Sequence, residues 1–93
     1  MNDWHFSGEI FYLKPLEGEF AGSVKIRGLS KREGAMSSQI CEMSCLLHQR
    51  LWEQIHNEGI DVYSNIALTG HIETWTNEKK NTKVMFIADS LLD

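Results

Sequence analysis

Cys41 and Cys45 are the cysteines of this chain, and His5, His48, His56 and His71 are its histidines. These residue types could ligate a metal or serve nucleophilic catalysis. Their spacing argues against both. The cysteines are four positions apart, so on a strand they share a face. Met43 lies between them on that face, which makes buried core the simpler reading. No histidine stands at zinc-ligand spacing from them. The sequence holds no phosphate-cradling glycine loop, no dinucleotide glycine pattern and no nucleophile elbow. No metal, cofactor or enzymatic activity is therefore expected. Two cysteines also do not make a disulfide framework.

The remaining chemistry is cationic and aromatic. Lys and Arg number 9 against 13 Asp and Glu, a net charge of −4 that argues against a strongly electrostatic nucleic-acid binder. The distribution is uneven. Residues 24–38 carry Lys25, Arg27, Lys31 and Arg32 against Glu33 alone and sum to +3, whereas residues 1–23 and 39–72 each sum to −3. Residues 73–93 sum to −1, yet Lys79, Lys80 and Lys83 cluster there. Two basic spots thus sit on an acidic chain, and on charge alone a solvated surface explains them equally well.

These residues must be positioned by the elements between the breakers, which fall at Pro15 and Gly18, Gly34, Gly59, and Asn77 to Asn81. Alternation predicts a first strand over Trp4–Tyr12, with Trp4, Phe6, Gly8 and Ile10 on one face and a bend or bulge at Gly8. A second strand spans Phe20–Leu29. Val24 and Ile26 alternate there with Lys25 and Arg27, which share the open face. A third spans Ser38–Leu47. The period then changes: Leu51, Trp52 and Ile55 predict one helix over Arg50–Glu58, stopped by Gly59. Ile66, Leu68, Gly70 and Ile72 define a fourth strand over Tyr63–Trp75. Val84, Phe86 and Ala88 share one face of a fifth over Thr82–Ser90. With 93 residues the chain makes one domain, residues 1–93. Five strands with a single helix between the third and fourth is the order of the OB-fold, an all-β Greek-key barrel. The longest apolar run, Val84 to Ala88, is far short of the roughly 20 residues of a membrane span. With Met1 opening the chain and no secretory signal, a cytoplasmic location is expected.

The stretch Ile66-Ala67-Leu68-Thr69-Gly70-His71-Ile72-Glu73-Thr74-Trp75-Thr76 resembles the fourth strand of bacterial single-stranded DNA-binding proteins, an aliphatic strand around a glycine that runs to a Trp-Thr pair. The polar tip Asn77 to Asn81 and the fifth strand Val84 to Asp89 follow as in that family. His5-Phe6-Ser7-Gly8-Glu9-Ile10 is similar to its first strand. The element order matches over nearly the whole chain, but the specific residues are few: Gly8, Gly70, Trp75 and the fifth-strand ending. Gly70 to Trp75 is two residues shorter than the family spacing. The family's aromatics on the second-to-third-strand loop and third strand fall at residues such as Lys31, Glu42 and His48. Its acidic, Phe-ended tail has no counterpart before Asp93. A single short OB domain of this kind also resembles the related primosomal replication protein, a dimer that binds single strands and partner proteins.

The resemblance implies binding of single-stranded DNA without sequence specificity in replication, recombination or repair. Such binding needs cations that displace phosphate counterions and rings that stack on bases. The expected groove residues are Lys25, Arg27, Lys31 and Arg32 on and after the second strand, and Trp75, Lys79, Lys80 and Lys83 around the last hairpin. With one convincing ring, weak and salt-dependent binding is expected. Trp52 reads as core and Trp4 as core or a subunit contact, while Phe20 and Tyr63 are ambiguous by parity. The alternative is an adaptor that docks on replication, recombination or mobile-element proteins without significant DNA binding. A homodimer is expected on either account, with the family's tetramer as the alternative. Phe11, Met85 and Ile87 would supply apolar surface for it.

Overall fold

A computed structural model describes residues 3–30 and 39–92. Its elements are β1 (Asp3–Pro15), β2 (Gly22–Ser30), β3 (Gln39–Leu47), α1 (Gln49–Asn57), β4 (Asn65–Thr76) and β5 (Thr82–Leu92). The expected order holds, with ends moved by a few residues. Tyr63 falls outside β4, in the turn that leads to it. The strands close a barrel in the order β1-β2-β3-β5-β4, which is the OB-fold.

Closure depends on β1 serving two neighbours. Its first half, Asp3 to Glu9, pairs antiparallel with β4, and its second half, Glu9 to Pro15, pairs with β2. Gly8 lies at the handover. A β-carbon there would collide with the Arg27 carbonyl, so only glycine lets β1 approach β2 at this bend. The bulge itself lies further on. Ile10 faces Ile26 and Tyr12 faces Lys25, so Phe11 is the extra residue. A second irregularity mirrors it: Thr69 faces Ser90 but Gly70 faces Ala88, which leaves Asp89 as the extra residue of β5.

The core follows from the alternation. Ile10, Val24, Ile26, Leu47 and Leu68 are completely buried, joined by Cys45, Ile66 and Ala88 from the other inward positions. Helix α1 contributes Leu51 and Ile55, one turn apart on one face, and caps the core. Gly59, at φ +72°, ends it as expected. Trp4 and Trp52 pack against this cluster. The apolar surface differs from expectation. Ile87 is only 3% exposed although it alternates with the inward Ala88 and lies outside the core cluster, opposite Leu46 of β3 and His71 of β4. Val84 and Phe86 instead lie open beyond the barrel, on the projecting β4–β5 hairpin.

Gly70 carries a sharp stability prediction. A β-carbon there would meet both the Ile87 carbonyl and the Trp4 indole. Neither can retreat freely, since Trp4 Nε1 donates to the His71 carbonyl at 2.9 Å. Gly70→Ala is expected to cost about 3 kcal/mol or more, the upper end for overpacking. Urea unfolding would read this as a lower midpoint at unchanged slope. A loss below about 0.5 kcal/mol, the range of a neutral surface change, would refute the close-packing argument.

Candidate nucleic-acid interface

The strict alternation of β2 buries Val24 and Ile26 and leaves Lys25 and Arg27 exposed on the outer wall. The register then sets their neighbours. Lys25 lies between Tyr12 on β1 and Ser44 on β3, and Arg27 between Glu9 and Glu42. The Lys25 ammonium stands 5.0 Å from the Tyr12 ring centre. The Arg27 guanidinium stands 4.5 Å from the Phe11 ring and donates to Glu42 Oε1 at 3.2 Å. Both cations are thus held against aromatic faces.

Sequence reasoning missed this aromatic half of the wall. Before the bulge, even-numbered residues of β1 face inward; after it, Leu13 is the inward residue, opposite Val24. Tyr12 and Lys14 consequently turn out, onto the side of Lys25. The available signal was the run Ile10-Phe11-Tyr12-Leu13, where alternation fails.

The second group sits on the β4–β5 hairpin. Trp75 and Lys83 face each other across its two strands and share one side, and Trp75 is 56% exposed, so it is not core. At the tip, Asn77 Oδ1 accepts from the Lys79 and Asn81 amides at 2.9 and 3.0 Å. Lys80 adopts φ +64°, the left-handed position of a three-residue hairpin loop. Trp75, Lys79 and the tip asparagines line a groove of about 590 Å³.

A cleft joins the two groups. Strands β3 and β5 pair only at Leu46–Ile87 and Leu47–Ala88 and then part. The opening, about 480 Å³, is lined by Glu42 to Leu46 and by Lys83 to Phe86. Arg27, Glu42, Lys83 and Trp75 therefore follow one another across β2, β3, β5 and β4. Lys31 and Arg32, the other expected groove residues, lie outside the described residues.

Acidic groups flank these residues. Glu17 and Glu19 occupy the loop between β1 and β2, exposed. On β4, His71 sits between two carboxylates, with Nδ1 2.8 Å from Asp89 and Nε2 2.6 Å from Glu73. Burial pushes the Cys45 thiol up to about 12, which keeps it protonated. Among the described residues, no group of three His, Cys, Asp or Glu side chains is arranged to hold a metal. No described helix is long and apolar enough to cross a membrane.

No family model matches the sequence, and no curated protein does. Solved structures do match. A small single-stranded DNA-binding protein from Mycoplasma pneumoniae superposes with a TM-score of 0.68 at 17% identity, over 100% of this chain and 93% of its own. An SSB from Plasmodium falciparum, solved in complex with ssDNA, gives 0.63 at 14% identity over 100% and 96%. The mitochondrial single-stranded DNA-binding protein Rim1 of S. cerevisiae gives 0.61 at 8% identity over 97% and 91%. This chain has their fold. At these identities the likeness belongs to the barrel and not to individual residues.

The His71 cluster yields a pH prediction. Hydrogen bonds to Asp89 and then Glu73, aided by their charge, raise the imidazole above its ordinary value of 6.5. The folded state thus binds this proton more tightly than the unfolded chain. The resulting stabilisation is fully present below 6.5 and fades as pH rises through the raised folded value. In thermal melts from pH 5.5 to 8.5, His71→Gln should flatten this alkaline decline relative to the parent chain. Parallel curves would show that the cluster does not contribute.

Proposed function

We propose that this protein binds single-stranded DNA without sequence specificity, across the outer wall of β2 and β3 and along the β4–β5 hairpin. The observation that carries the reading is the run of Arg27, Glu42, Lys83 and Trp75 over neighbouring strands, with Lys25 beside it. It brings the two basic segments together on a barrel shared with proteins that bind ssDNA. Lys25, Arg27 and Lys83 would take phosphates, with Lys79 and Lys80 at the hairpin tip. Lys31 and Arg32 would extend the track after β2. The exposed Trp75 ring would stack on a base. The roles of the site are binding roles, and no catalytic residue is proposed.

The acidic remainder of the chain shapes the affinity. Arg27 is already engaged by Glu42, so a phosphate must displace a carboxylate to reach it. That competition, together with a net charge of −4, predicts weak binding at physiological salt. It also favours the second reading, an adaptor whose acidic faces meet a basic replication or recombination partner.

The test is a titration of labelled oligo-dT by fluorescence anisotropy, between about 50 and about 200 mM salt. Contact with about four phosphates would give a log–log slope near −3, at about 0.7 per phosphate for a single strand. Trp75→Ala should weaken binding by about 1–3 kcal/mol, the worth of one stacked base. Glu42→Gln should tighten binding and steepen the slope by about 0.7, since Arg27 becomes free for a phosphate. No binding at the lowest salt would sink this reading and leave the adaptor, to be sought by pull-down.

A further inference from the structure

We infer that Tyr12 is a second base-stacking ring, so that a bound strand runs over the β1–β2 hairpin as well as the β4–β5 hairpin. The inference rests on the single-strand-binding reading and extends its site to β1. The bulge is the first observation. Phe11 is the extra residue between Ile10 and Tyr12, and it turns Tyr12 from the inward parity of Phe6 and Ile10 to the outer wall. Exposure is the second. Tyr12 keeps 41% of its surface open, whereas its neighbour Phe11 is only partly exposed and lies under Arg27. A tyrosine serving only to cover the barrel would not stand out from it, and Leu13 already fills the inward position opposite Val24.

The surroundings supply the third observation. Lys25 lies across from Tyr12 on β2, and Lys14 follows two residues later on the same side of β1. A ring with one lysine across from it and another two residues along offers a nucleotide a π face for the base and cations for the flanking phosphates. In the free protein, the Lys25 ammonium rests 5.0 Å from the ring centre. A cation over an exposed ring is held weakly. An incoming strand exchanges it: the base takes the ring face, and the ammonium moves to a phosphate and releases its counterion. The contact thus holds the cation close to where a phosphate arrives.

The experiment uses the full chain and labelled oligo-dT. Tyr12→Ala and Tyr12→Leu should each weaken binding about fivefold or more, the effect of losing one stacked base. Tyr12→Phe, which keeps the ring, should restore affinity to within about twofold. The salt slope should stay that of the parent chain in all three, because a ring and not a charge has changed. Leucine preserves apolar bulk, so it reports on stacking even if alanine disturbs the fold. Photocrosslinking to bromodeoxyuridine oligonucleotides should place Tyr12 in the labelled peptide. Parent binding that weakens on Trp75→Ala but not on Tyr12→Leu, with no crosslink at Tyr12, would overturn this inference alone. A parent chain that binds no oligo-dT at low salt would overturn it together with the reading on which it rests.

Discussion

The whole molecule depends on one strand belonging to two neighbours. β1 leaves β4 and joins β2 at Glu9, and the barrel closes only because that transfer is made. The transfer needs close backbone contact at Gly8, where any side chain would strike the Arg27 carbonyl. It also needs extra curvature, which the bulge at Phe11 supplies. Bend and bulge together do more than close the barrel. They decide that Tyr12 and Lys14 join Lys25 on the outer wall, and so they shape the surface on which the proposed function rests.

A comparable adjustment in β5 governs the opposite side. Just before the extra residue Asp89, Ala88 joins the core while Ile87 lies opposite Leu46 and His71, and the two anchor β5 to the last two residues of β3. Below that anchor the two strands part and form the cleft between Glu42 and Lys83. Asp89 itself is turned toward His71, so the irregular residue also holds one end of the Glu73–His71–Asp89 cluster. Each bulge thus has a structural effect and places a polar or aromatic group on the surface.

The electrostatics are those of a basic track laid across an acidic body. Acidic side chains flank the track closely: Glu42 bonds Arg27, Glu9 lies across from it, and Glu17 and Glu19 occupy the adjacent loop. Such an arrangement disfavours tight, indiscriminate attachment to polyanions and confines attraction to a narrow path. Aromatic contacts then carry a larger share of any binding, since stacking does not depend on net charge.

By itself, the sequence determined the element order, the helix between β3 and β4, and the outward position of Lys25, Arg27 and Trp75. Those features follow from local periodicity, a period of two in strands and 3.6 in the helix, which single residues express without help. The packing of Trp52 against the core was legible for the same reason, whereas Trp4 read equally as core or subunit contact. The role of Phe11, the outward turn of Tyr12 and the burial of Ile87 were not legible. Ile10 to Leu13 are apolar at every position, so alternation cannot say where one residue is skipped, and in β5 the skipped Asp89 stands among polar residues that carry no pattern. Only tertiary structure decided that, because a bulge is placed by the need to curve a strand between two partners. A one-residue shift in pairing then exchanges inside for outside along all that follows.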